Sequence, residues 1–185
     1  MDFLEIYDQF YHRVRKFILT SVKDGSVADD LIQETFLRIQ NNIESVREPS
    51  KISSRIFSIA HHLCQDHFRS LQKFYFREEE IQEEGVALEE APVQKKMEQS
   101  EMSRCVQDQL NLLPESLRSV VIFADIMDFT HQEIADILGL SVENVKVRLH
   151  RGRKKFKAIL EEKCTFEVDE RNVLVCDPVD NKDGG

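Results

Sequence analysis

Between Ser141 and Lys157 the chain carries side chains that can read base edges, set among a dense row of cations. Asn144, Arg148 and Arg151 can each bond a base edge bidentately, and Lys146 through Lys157 hold seven Lys/Arg with no Asp or Glu. On a helix, Val142, Val145 and Leu149 fall inward at i, i+3 and i+7. Glu143, Asn144, Lys146, Val147, Arg148, His150 and Arg151 then face outward, followed by Arg153, Lys154, Lys155 and Lys157. The N-terminal half of such a helix enters a major groove, while the later basic residues hold phosphates and fix the register. The plain alternative is a solvated amphipathic helix whose charges only keep the surface soluble. Turn, caps and basic run coincide here, which favours DNA.

Other chemistry finds little support. There is no P-loop, Gly-rich phosphate cradle, metal triad or activated nucleophile motif, so no catalysis and no cofactor are expected. His61, His62, Cys64 and His67 cluster in sequence, but only the 64/67 pair has same-face spacing and no second cluster completes four ligands. No metal is expected there. Cys64, Cys105, Cys164 and Cys176 lie far apart with no C-x-x-C pair, which points to neither a disulfide framework nor a zinc finger.

The reading helix needs elements that hold it. Thr130 can cap a preceding helix with Glu133 as its reciprocal partner, and Ile134, Ala135, Ile137 and Leu138 form the apolar side. Gly139 supplies the sharp turn, and Ser141 caps the next helix. Ala135, Gly139 and Val145 are small enough for two helices to cross tightly. Upstream, helical spacing runs through Met102, Val106, Leu110 and Leu113, breaks at Pro114, and resumes at Leu117, Val121 and Ala124.

The first seventy residues are helical in spacing throughout. One stripe is Phe3, Tyr7, Phe10, Val14 and Phe17; a second helix, predicted to start at Ser26 with Asp29 completing its cap, carries Ile32, Phe36, Ile39 and Ile43. A third, cut off by Glu48-Pro49-Ser50, runs from Ser53 to about Leu71 with Ile52, Ile56, Ile59 and Leu63 on its stripe. Beyond Lys163 the spacing alternates through Phe166, Val168, Val173 and Val175, as in a short β-hairpin, and disorder is expected from Pro178 to Gly185. Cys164 and Cys176 bracket that hairpin and could face each other across it. Inert thiols are the favoured reading over a regulatory disulfide or a shared metal.

The net charge of −9 conceals its distribution. Residues 1–75 carry ten basic and ten acidic side chains, 76–101 three and nine, 102–163 ten and nine, and 164–185 two and six. The acid lies mainly in a linker and a tail, and fields act within roughly 8–10 Å, so the local basic stripe outweighs the sum. The fold class is therefore all-α: two small helical domains (1–74 and 102–163) joined by a flexible acidic linker (75–101), with a C-terminal extension (164–185). Met1-Asp2-Phe3-Leu4-Glu5 lacks a basic n-region, and no stretch approaches the roughly 20 apolar residues needed to span a bilayer. The cytosol is the expected compartment, with no membrane insertion.

Two blocks carry a resemblance. Asp29-Asp30-Leu31-Ile32-Gln33-Glu34-Thr35-Phe36-Leu37-Arg38 resembles the hallmark of sigma region 2. Leu113-Pro114, Glu133-Ile134-Ala135 and Val145-Lys146-Val147-Arg148-Leu149-His150-Arg151-Gly152-Arg153 resemble sigma region 4. Their order and the short length resemble the extracytoplasmic-function (ECF) sigma factors, over roughly residues 3–73 and 102–160. The resemblance implies a transcription initiation factor that binds core RNA polymerase and promoter DNA, with an anti-sigma protein as a further partner. Ser141, Glu143, Asn144, Lys146, Val147, Arg148, His150, Arg151, Arg153 and Lys154 would then meet the −35 element. Arg55, Ser58, His61, His62, Gln65, Asp66 and Arg69, all expected away from the apolar stripe, would meet the −10 element, preceded by a recognition loop at residues 41–52. Asp30, Gln33, Glu34, Leu37 and Arg38 would bind the polymerase clamp helices, and the linker would thread toward the active-site cleft. The sequence departs from the family at Arg55, where Trp is common, and at His62, where Asn is common. The competing reading is a stand-alone helix-turn-helix regulator, which would bind its operator tightly without polymerase.

Overall fold

The computed structural model describes residues 2–22, 24–42, 48–78, 106–168 and 174–178. The chain divides into two compact units, Met1–Glu90 with Gln132–Leu140, and Ala91–His131 with Ser141–Gly185. Among the described residues no helix is long and apolar enough to cross a membrane.

Helices α1 (Phe3–Val22), α2 (Gly25–Asn41) and α3 (Ile52–Glu78) each pack on the other two. Their shared core is Ile6, Phe10, Val14, Phe17 and Ile18 from α1, Ile32, Phe36 and Ile39 from α2, and Ile52, Ile56, Phe57, Ala60 and Leu63 from α3. Each fully buried Ile or Phe here contributes about 1.5–3 kcal/mol relative to exposure. Phe17 and Phe57 meet edge to face at 5.9 Å, and the Arg13 guanidinium lies 5.4 Å from the Phe57 ring centre. Buried hydroxyls bond back along their own helices, Ser21 to the Phe17 carbonyl and Thr35 to the Leu31 carbonyl, so their burial leaves no unpaired donor.

Several expected stripes are rotated or extended. Tyr7 is exposed and Phe3 half-buried, whereas Ile6 and Ile18 lie in the core. The apolar spacing of α1 has two overlapping rows: Ile6 lies in the buried one, and Tyr7 sits at its edge with its ring 4.8 Å from that of Phe36 on α2. Ile59 is only half-buried, and Phe57 takes the interior place. The α2 cap is Asp24, not Ser26: its carboxylate accepts from the Val27 N–H at 3.0 Å, which leaves Ser26 inside the first turn. α3 runs on to Glu78, since no Gly or Pro stops it after Leu71. Ile43 and the rest of residues 43–47 in the 41–52 loop lie outside the described residues, as do linker residues 79–101, Met102 through Cys105, Val173 and the tail beyond Pro178.

Further along the chain residues 106–110 are helical, followed by α4 (Glu115–Val121), a π-helical turn (Ile122–Ile126), α5 (His131–Leu138) and α6 (Val142–Lys163). α4 packs along α6. The contact is closest at Gly152: a Cβ built there meets Val121 Cγ2 at 2.7 Å and the Leu117 carbonyl oxygen at 3.4 Å. Gly139 takes the left-handed turn expected of it, at a φ of +64°, but has open space around it, so the tight helix crossing also expected there is not what requires a glycine. α6 passes directly into β1 (Cys164–Val168), which pairs antiparallel with β2 (Leu174–Pro178). The register sets Cys164 opposite Pro178 and Cys176 opposite Phe166. The two cysteines are thus diagonal rather than facing, and diagonal pairs sit about 7–8 Å apart, beyond ordinary disulfide reach.

Gly152→Val should therefore loosen α4 and α6 by about 1–3 kcal/mol, read as faster amide exchange in both helices. A second change, Val121→Ala, should recover part of the loss. Gly139→Ala should cost about 1–2 kcal/mol and Gly139→Asn less, measured in the same way.

Candidate nucleic-acid interface

The turn between α5 and α6 starts the candidate site. The Leu140 N–H donates to the Ala135 carbonyl at 3.0 Å, closing α5 across left-handed Gly139. The Ser141 hydroxyl then accepts from the Asn144 N–H at 3.2 Å, and its carbonyl accepts from Val145 at 3.0 Å. Ser141 is thus the cap that starts α6. Ile134, Ala135 and Ile137 of α5 are buried, as are Val145, Leu149 and Gly152 of α6, whereas Val142 is half-buried.

Glu143, Asn144, Lys146, Val147, His150, Arg151 and Lys154 are exposed along α6. Val147 is 48% exposed, an apolar side chain among cations that could meet a thymine methyl. Arg148 is half-buried, and its Nε donates to Asn144 Oδ1 at 3.0 Å. That bond links two side chains able to read bases and limits their rotamers before DNA arrives. Arg153 is held otherwise. Its Nε donates to Asp125 Oδ2 at 3.1 Å and its Nη2 to Asp125 Oδ1, a two-point pair across 28 residues of sequence. That pair raises the Arg153 pKa, chiefly through the hydrogen bond the guanidinium donates to the Asp125 carboxylate. Asp125 stands on the π-helical turn, where the Met127 N–H reaches back five residues to the Ile122 carbonyl.

On α3, His62, Asp66 and Arg69 are exposed and Arg55, Ser58 and Gln65 are half-buried. His61 is buried, at 8% exposure, so it does not join the polar face on which it was expected. It lies one residue from Ala60 and two from Leu63, where the helix turns toward the core. His62 Nδ1 lies 2.7 Å from the Ser58 carbonyl oxygen, an acceptor that calls for a proton on Nδ1. Arg69 Nη1 and Asp66 Oδ1 are 3.4 Å apart. Cys64 is buried, and among the described residues no three His, Cys, Asp or Glu side chains gather as a metal site.

On α2, Asp30, Gln33 and Arg38 are exposed and Glu34 is half-buried, opposite Ile32, Phe36 and Ile39. Leu37 stands 44% exposed among them, beside the Arg38–Glu34 pair at 2.7 Å. The expected grouping on one face is thus present in space. Sequence reasoning missed Asp125 and the contact role of Gly152. Asp125 gives no local signal, being 28 residues from its partner, whereas a glycine inside a basic helix is a visible anomaly.

Comparison with known proteins places both halves. The family model described as Sigma-70 region 2 matches residues 6–74, and that of Sigma-70, region 4 matches residues 103–156. The chain is 28% identical to RNA polymerase sigma factor SigZ of Bacillus subtilis over 95% of this chain and 96% of that protein. It is 30% identical to ECF RNA polymerase sigma factor EcfG of Rhodopseudomonas palustris over 80% of this chain and 78% of that protein. The sigma factor RpoE of Bartonella quintana, solved in complex with the anti-sigma factor NepR, has a similar fold: TM-score 0.65 at 19% identity, covering 85% of this chain and 97% of that one. The chain belongs to the ECF type of the sigma-70 family, the RNA polymerase sigma factors that direct promoter-specific transcription initiation.

Proposed function

We propose that α6 reads the −35 duplex, the exposed row of α3 captures the −10 strand, and the Leu37 face of α2 docks on core polymerase. The observation that carries this reading is the α6 surface: a Ser141-capped helix with Asn144 and Arg148 already bonded to each other and cations running on to Lys157. Bidentate groups near the start of a helix discriminate bases, and Lys/Arg further along bind phosphate without sequence preference.

Single-strand capture needs polar contacts and stacking surfaces for unpaired bases. His62, Asp66 and Arg69 supply exposed polar groups for that purpose, with Arg55, Ser58 and Gln65 beside them; buried His61 is left out of the contact set. On α2, an exposed leucine ringed by paired charges has the make-up of an interface anchor. The polymerase holds both DNA-binding surfaces at a spacing that matches two promoter elements, which raises the effective concentration of the second once the first is engaged. The factor contributes specificity and the polymerase contributes the chemistry, so the chain itself is non-catalytic and acts in the bacterial cytosol. A protein of similar fold is solved with the anti-sigma factor NepR, and a partner of that kind would compete for these surfaces.

Arg148→Ala should reduce run-off transcription from a −35-dependent promoter by about 1–3 kcal/mol, roughly five- to 150-fold. Unchanged output would remove α6 as the reading helix. Leu37→Glu should abolish co-purification with core polymerase, and normal assembly of that variant would show the α2 face to be misassigned. A stand-alone regulator would instead bind its DNA equally well with and without polymerase.

A further inference from the structure

We infer that Asp125 is a positioning residue for promoter reading, acting through Arg153 to set the rotation of α6 about its own axis. The inference rests on α6 being the −35 reading helix, and it changes the role of Arg153 from a phosphate contact to a strut.

α6 is held against α4 along a line through Gly152, where the missing Cβ lets Val121 and Leu117 approach. Such a contact sets the spacing of two helices, but at Gly152 itself no side chain interlocks to oppose rolling. Arg153 is the next residue, about 100° further round at 3.6 residues per turn. Its guanidinium is gripped at two points by Asp125 on the π-helical turn that follows α4. A fork-to-fork pair fixes direction as well as distance, so it supplies the stop against rolling that Gly152 lacks.

The consequence falls on the base-reading side chains. Side-chain ends lie roughly 5–6 Å from a helix axis, so a roll of about 20° displaces them by about 2 Å. Functional geometries tolerate about 0.5 Å. Meanwhile the Arg153 and Asp125 side chains are 58% and 34% exposed, and exposed ion pairs add little to folding stability. A pair of small energetic weight thus has a large geometric effect, and this separates positioning from a merely structural role.

The two roles of Arg153 predict opposite signs. If Arg153 binds phosphate, Asp125→Asn removes a competing carboxylate and a negative charge, so promoter binding should tighten. If the pair sets the rotation, Asp125→Asn should lower promoter discrimination while leaving non-specific binding equal or tighter. The assay is run-off transcription by core polymerase with the full chain. The templates are a promoter fragment recovered by mapping polymerase occupancy and the same fragment with its −35 bases scrambled. Wild type, Asp125→Asn, Arg153→Asp, the exchanged pair Asp125→Arg with Arg153→Asp, and Arg148→Ala are compared. Expected is a drop of about tenfold in the intact-to-scrambled ratio for Asp125→Asn, the size of one lost bidentate base contact. The denaturation midpoint should barely move, and the exchanged pair should recover the ratio relative to either single change. An unchanged or higher ratio for Asp125→Asn while Arg148→Ala loses activity overturns the positioning role and leaves the reading helix standing. If the exchanged pair is no better than Arg153→Asp alone, Arg153 contacts DNA directly and the inference also fails. If Arg148→Ala and Asp125→Asn are both silent, the reading helix itself is wrong and the inference falls with it.

Discussion

The close approach of α6 to α4 at Gly152 is the constraint on which the candidate DNA-reading surface depends. A Cβ at that position would lie 2.7 Å from a methyl of buried Val121, and a valine in a helix has one dominant rotamer with which to move away. The helix therefore comes close enough to bury Val145 and Leu149 while directing Asn144, Val147 and Arg151 outward. A glycine inside a helix ordinarily costs about 1 kcal/mol against alanine. Here that cost is offset by contacts that no other residue permits. Asp125 and Arg153 then act on the same helix one residue later, off the contact line.

The three helices of the first unit follow a different logic. Their core is aliphatic and aromatic on all three sides, and it leaves two polar faces with distinct characters. The α2 face mixes charge with one exposed leucine, as protein-binding surfaces do. The α3 face is polar, with His62 and Ser58 bonded along the helix and Asp66 near Arg69. One small bundle thereby presents two surfaces of different chemistry on different helices, as the proposed polymerase and single-strand contacts require. Burial of His61 narrows the second of these, because a histidine beside Ala60 and Leu63 is turned inward by the same packing that holds them.

The charge distribution fits this division. A chain with 34 acidic and 25 basic residues binds DNA only if its cations are gathered where the DNA lies, and seven of them are gathered between Lys146 and Lys157. Arg153 is an exception among them, since its charge is already matched by Asp125.

Local order was legible from the sequence because it is decided locally. The helix at 142–163, its Ser141 cap, the left-handed Gly139, the α2 face around Leu37 and the antiparallel extension all follow from spacing, capping chemistry and φ preference, which act over a few residues. The Asp24 cap was within reach of the same reasoning and was passed over for Ser26, a residue with the right hydroxyl in the wrong turn. Tertiary structure alone decided the rest. Packing between helices set Ile6 deeper than Tyr7, turned His61 inward, brought Gly152 onto Val121 and closed the Asp125–Arg153 pair. Each depends on which side of a helix meets another helix distant in sequence, and the rotation that settles it is set by the fit of whole surfaces rather than by any residue's own preference.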